Sequence, residues 1–98
     1  MNLLLLFFYE KEIMESIKLG KRVLKIREES YGYTIFDGNV SIQANKVFIF
    51  ILKCIAEGYQ IKEIQDKLCS KYNNIASNDQ VQNDIQYVFK YAKNMKWL

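Results

Sequence analysis

The sequence predicts an α+β fold in which a three-stranded antiparallel sheet precedes three helices. Three observations carry that expectation. Between Val23 and Ala44 apolar and polar residues alternate with period two, interrupted at Gly32 and at Asp37-Gly38, the pattern of half-buried strands joined by tight turns. From Asn45 onward, apolar residues recur at three- and four-residue steps between capping signals, as in amphipathic helices. Finally, residues 46–56 are apolar at nine of eleven positions, so a helix there carries hydrophobic surface around nearly its whole circumference and needs other elements to enclose it.

The strands follow in order. In Val-Leu-Lys-Ile-Arg, residues 23–27, Leu24 and Ile26 fall on one face and Lys25 and Arg27 on the other. Residues 28–32 turn the chain. Tyr33-Thr34-Ile35-Phe36 is rich in aromatic and β-branched residues and forms the second strand. Asp37-Gly38 signals a two-residue hairpin with both central positions at positive φ. The third strand, residues 39–44, turns Val40, Ile42 and Ala44 inward and Ser41 and Gln43 outward.

Asn45 is placed to cap the central helix and Gly58 to end it in the left-handed conformation. A second helix carries Ile61, Ile64, Leu68 and Tyr72 as its inward stripe and breaks at Asn73-Asn74. Ser77-Asn78-Asp79-Gln80 has the form of a capping box and opens a third helix, with Val81, Ile85, Val88 and Ala92 inward. Strands first and helices after make a winged helix-turn-helix arrangement.

Composition bounds the rest. The chain has 98 residues, 50% of them hydrophobic and 26% charged, with no proline and four glycines, which suits one compact domain without a linker. Residues 1–19 are expected to form an N-terminal extension and residues 20–98 the domain. The apolar run of residues 3–9 is compatible with a strand or with the first turns of a helix. It lacks a preceding basic region and a following small-x-small site, so a signal peptide is not expected, and it is shorter than a membrane span. Met14 would serve equally well as a translational start. Cys54 and Cys69 fall at apolar helical positions, where a free thiol acts as a small hydrophobe and a reducing cytoplasm suits it; a disulfide between them stays an alternative.

With no histidine, no glycine-rich phosphate loop and no paired carboxylates, nothing supplies acid-base chemistry or a zinc site. A non-enzyme without cofactor or metal is the expectation. The net charge is +3, but the only arginines are Arg22 and Arg27, and base-edge recognition leans on arginine. The third helix offers Gln86, Tyr87, Lys90, Tyr91, Lys93 and Asn94 outward, leaving a small DNA-binding transcriptional regulator as the alternative function.

Residues 51–64, Ile-Leu-Lys-Cys-Ile-Ala-Glu-Gly-Tyr-Gln-Ile-Lys-Glu-Ile, resemble the stretch "ILELLDGGRTVEEI" of PqqD-like proteins, the RiPP precursor peptide recognition elements. Asp84-Ile85-Gln86-Tyr87-Val88-Phe89, continuing to Trp97-Leu98, is similar to their "DVEAFL…GLL" ending, and Asn45 falls on the Asn of their "LNET" signature. The likeness covers about residues 20–98. It departs at Val47 and Phe48, where the family often has Thr and Gly, and at Lys96, which replaces a Gly.

The resemblance implies a cytoplasmic, non-catalytic peptide chaperone. Such a domain binds the leader segment of a ribosomally made precursor and presents it to a modifying enzyme, often a radical SAM protein, in natural product biosynthesis. The leader adds as a strand to the third strand, in the cleft beside the third helix. Carried onto this chain, Val40, Ser41, Ile42 and Gln43 would supply backbone pairing. Asp84, Tyr87, Val88 and Tyr91 would line the cleft, and Lys90 would meet an acidic leader. The alternatives are structural: Ile42 and Val88 as ordinary core, Asp84 as a helix-dipole partner, and Lys90 as a solvated lysine. An open edge also allows a homodimer by strand exchange.

Overall fold

The computed structural model describes residues 14–72 and 77–98. Expectations placed on residues 1–13 and on the break at Asn73-Asn74 lie outside the described residues. Four strands precede three helices: β1 (Met14–Leu19), β2 (Arg22–Glu29), β3 (Gly32–Asp37), β4 (Val40–Ala44), α1 (Lys46–Ala56), α2 (Ile61–Tyr72) and α3 (Asn78–Asn94). The sheet is an antiparallel meander in the order β1-β2-β3-β4.

The sheet thus has one strand more than expected, because Met14–Leu19 belongs to it rather than to an extension. Ile17 and Leu19 point into the core at 4% and 3% exposure, while Ser16 and Lys18 face solvent, a period-two pattern of its own. The Lys53 ammonium meets Glu15 at 2.8 Å and ties α1 to this strand.

Each of the three hairpins closes through two residues. The outer two are Gly20-Lys21, between paired Leu19 and Arg22, and Gly38-Asn39, between paired Asp37 and Val40. In both, only the first central residue has positive φ, +59° at Gly20 and +60° at Gly38, as in a type II′ turn. The expected type I′ turn centred on Asp37-Gly38 is therefore displaced by one residue, and Asp37 ends a strand. Gly32 answers a different need: a Cβ there would stand 2.7 Å from the Ala44 carbonyl oxygen across the β3–β4 pair.

Leu24, Ile26 and Ile35 form the floor of the core at 1% exposure or less. Helix α1 lies on the sheet against β1 and β3, and α3 packs on α1 and α2. Within α1, Ile49, Ile51, Leu52 and Cys54 are buried, while Val47, Phe48, Phe50, Ile55 and Ala56 stay half-buried, so its enclosure is one-sided. The Lys71 ammonium sits 4.6 Å above the Phe50 ring and shelters part of that surface. In α3 the expected stripe Val81, Ile85, Val88 and Ala92 is fully internal, whereas Ile61, at the first turn of α2, is 48% exposed because it overhangs the core.

The helix ends follow their sequence signals. Asn45 Oδ1 accepts from the Phe48 N–H at 2.8 Å, and Ser77 Oγ accepts from the Gln80 N–H at 3.2 Å. At the end of α1, Gly58 N–H donates to the Ile55 carbonyl and Tyr59 N–H to that of Cys54, a Schellman motif with Gly58 at φ +88°. Helix α3 ends identically, with Lys96 N–H donating to Lys93 and Trp97 N–H to Ala92. Here the left-handed residue is Lys96, φ +62°. Both cysteines are free thiols, Cys54 buried and Cys69 partly so. Burial, followed by the nearby Glu57, raises the Cys54 thiol pKa, which keeps it protonated and inert. None of the helices among the described residues is long and apolar enough to cross a membrane.

Candidate functional site

The sheet's two outer edges are protected differently. On β1, Glu15 is engaged by Lys53 of α1, and a charged side chain on an outer strand is a common guard against edge-to-edge pairing. Strand β4, Val-Ser-Ile-Gln-Ala, has no charge and no proline. Among the described residues, its pairing with β3 leaves its other side without a strand neighbour.

The hairpin fixes which groups that free side presents. A two-residue turn directs the Val40 N–H to the Asp37 carbonyl, and antiparallel pairs alternate between bonded and non-bonded. With Asp37 opposite Val40, Ile35 opposite Ile42 and Tyr33 opposite Ala44, those β4 residues bond to β3. The N–H and C=O of Ser41 and Gln43 point outward along the edge.

Beside this edge lies a cleft of about 600 Å3 between β4, the first turns of α1 and α3. Of the residues singled out from sequence, Ile42, Gln43, Asp84, Tyr87, Val88 and Tyr91 line it. Ser41 flanks it, presenting backbone to the edge and its side chain to the opposite sheet face. Val40, 48% exposed beside the hairpin, and Lys90, on the solvent side of α3, are not in its lining. Val88 is 2% exposed and contributes to the core as well as to the cleft floor; Ile42 is half-buried, between the two roles.

An aromatic wall gives the cleft its character. The Phe48 ring meets Tyr91 edge-on at 5.5 Å and Tyr87 at 6.4 Å, the two tyrosines are 6.1 Å apart, and Tyr91 continues to Trp97 at 5.7 Å. Edge-to-face contacts in this range add about 0.5–1.5 kcal/mol per pair beyond burial. Tyr91 is half-buried, and that burial, with Tyr87 close by, raises its hydroxyl pKa, so this hydroxyl stays neutral. Tyr87 keeps 61% of its surface exposed.

Six lining residues, Ala44, Asn45, Val47, Phe48, Ile51 and Gln80, were not among the expected site residues; Val47 and Phe48 are the two that the sequence could have flagged. Their signal was the departure from the PqqD-like pattern at the first turn of α1, where two large apolar side chains replace small ones. Among the described residues no three His, Cys, Asp or Glu side chains gather into a metal-binding group. Comparison with protein-family models, curated proteins and solved structures gives no match.

Proposed function

We propose that this chain is a non-catalytic adaptor that binds the leader segment of a ribosomally made precursor peptide and presents it to a modifying enzyme. In this reading it is a PqqD-like RiPP recognition element of the winged helix-turn-helix type, working in the cytoplasm beside an enzyme such as a radical SAM protein. The observation that carries it is the uncharged edge of β4 running alongside a cleft walled by Phe48, Tyr87 and Tyr91. Main-chain groups of Ser41 and Gln43 give an incoming strand its hydrogen bonds, and the cleft receives its alternate side chains, which is how β-augmentation divides affinity from specificity. The sequence likeness over residues 20–98 supports the family reading, and a sequence without histidine is in keeping with a binding role.

Titration of a fluorescently labelled leader peptide, taken from the neighbouring precursor gene, tests this. Micromolar or tighter binding is expected for the wild type, and at least tenfold weaker binding for Ser41→Pro, which removes an edge donor, and for Tyr87→Glu, which charges the cleft wall. Unchanged affinity in both variants rejects the groove. Strand addition responds weakly to salt, whereas phosphate contacts make affinity fall steeply. A steep salt dependence with duplex DNA and no peptide binding would favour the transcriptional regulator.

A further inference from the structure

Among the residues lining the cleft, Asp84 is the one Asp, Glu, Lys or Arg. It is half-buried, and the ion pairs among the described residues are Arg22 with Asp37, Arg27 with Glu29 and Lys53 with Glu15, so Asp84 has no cationic partner there. Its helical neighbours offer none: positions three and four residues away are Val81, Tyr87, Gln80 and Val88, whereas exposed helix carboxylates are commonly matched by a lysine at such spacing. Nor does the helix dipole account for it. Helix α3 begins at Asn78, so Asp84 stands in the second turn, beyond the range where the N-terminal partial charge acts.

The lysines on the same helix, Lys90 and Lys93, point away from this carboxylate. At about 100° per residue, Lys90 and Lys93 project roughly 120° and 180° around α3 from Asp84, while Gln80, Tyr87, Val88 and Tyr91 share its face. The result is a carboxylate one turn from the Tyr87 ring and two turns from that of Tyr91, with a third ring, Phe48, against them. Aromatic faces and a carboxylate attract the same kind of group, a cation.

We infer that the cleft selects extended peptide segments carrying an arginine or lysine side chain at the position that faces Asp84, two residues from a large apolar side chain that faces Ile42 and Phe48. This rests on the strand-addition reading above and specifies the chemistry of the segment. From Gln80 to Tyr91 the α3 wall runs about 16 Å, the length of about five extended residues. Two or three of their side chains face the cleft, enough for one cation and one or two apolar anchors. Arginine fits better than lysine, because its planar guanidinium can stack on a tyrosine while pairing with a carboxylate. The expectation that Lys90 meets an acidic leader is replaced, since Lys90 lies outside the lining.

Selection of a random nine-residue peptide library against the full chain tests the inference. Enrichment of arginine or lysine at one fixed position, two residues from an apolar one, is expected. The selected peptide should then bind about tenfold more tightly than its glutamine twin, a figure set by one partly exposed ion pair plus one cation-aromatic contact. Asp84→Asn should abolish that difference, and Asp84→Lys should shift the selection to acidic residues; circular dichroism verifies that both variants are folded. Enrichment of aspartate or glutamate by the wild type, or equal binding of the arginine and glutamine peptides, overturns the cation preference and leaves strand addition standing. A library yielding no consensus and no binder overturns both.

Discussion

The Trp97 indole N–H donates to Asp37 Oδ2 at 2.9 Å, joining the end of the chain to the end of β3 across 60 residues. Arg22 completes the arrangement from β2, its Nη1 2.9 Å from Asp37 Oδ1. The indole is 2% exposed and Asp37 9%. Because Trp97 follows directly on the Schellman turn of α3 and its ring touches Tyr91, this clamp holds the last turn of α3 against the turn end of the β3–β4 hairpin. The two walls of the cleft, β4 and α3, are thereby fixed to one another at one end.

Trp97→Phe keeps an aromatic ring but removes the donor, leaving Asp37 Oδ2 with Arg22 alone. Hydrogen bonds to charged groups contribute about 1.5–3 kcal/mol, so a loss of that order in urea-determined stability is expected, along with looser packing of Tyr91. A change under about 0.5 kcal/mol, the level of an ordinary surface substitution, would show that the clamp is incidental.

The same carboxylate makes stability sensitive to acid. The Trp97 hydrogen bond, ahead of the Arg22 hydrogen bond and charge, holds the Asp37 pKa below its ordinary value of 3.8, against the opposing effect of burial. A carboxylate whose folded-state pKa is depressed adds stability that is complete above the unfolded-state pKa and is lost as pH falls through the folded one. Thermal melts should therefore show a wild-type loss setting in below about pH 4 that Asp37→Asn lacks, with the variant less stable at neutral pH. Parallel pH profiles for the two proteins would remove Asp37 from the account.

Much of this architecture was legible because it is local. Asn45, Gly58 and Ser77 mark helix ends through residues within four positions, and the stripe from Val81 to Ala92 needs only helical geometry. Strand β1 carried an equally local signal in Ile17 and Leu19, followed by a Gly-Lys loop, but helical spacing through Leu6, Tyr9, Ile13 and Ile17 competed with it. The Asp37–Trp97 bond had no such signal. Asp37 beside Gly38 has the composition of a turn, and nothing short-range pairs it with the chain terminus. In the cleft, the α3 residues were accessible from periodicity and family likeness, whereas Phe48 sits on the helix expected to be enclosed, and only the packing shows one flank of it left open.

Lys96 is the one described residue other than glycine with positive φ, and a residue with a Cβ in that conformation is disfavoured by roughly 1–2 kcal/mol. Lys96→Gly should raise stability by about 1 kcal/mol, reduced somewhat by the greater freedom of glycine in the unfolded chain. Differential scanning calorimetry should show a melting temperature several degrees higher. A lower one would mean that the lysine side chain contributes more to the last turn than the backbone strain takes away.

The alternation along β4 yields a prediction about the fold that is independent of any ligand. Ile42 donates its N–H to β3, whereas the Ser41 N–H faces the open edge. Proline at 42 removes a ladder bond and forces a pyrrolidine ring toward β3, which is expected to cost about 3 kcal/mol or more. Proline at 41 removes a donor that has no strand partner among the described residues and should cost well under half of that. Alanine at each position separates the side-chain contribution: the difference between Ile42→Ala and Ile42→Pro isolates the backbone bond, and the difference between Ser41→Ala and Ser41→Pro should be small. If proline is instead the more damaging at Ser41, the pairing phase is the reverse, and the edge offered to a partner strand consists of the main-chain groups of Val40, Ile42 and Ala44.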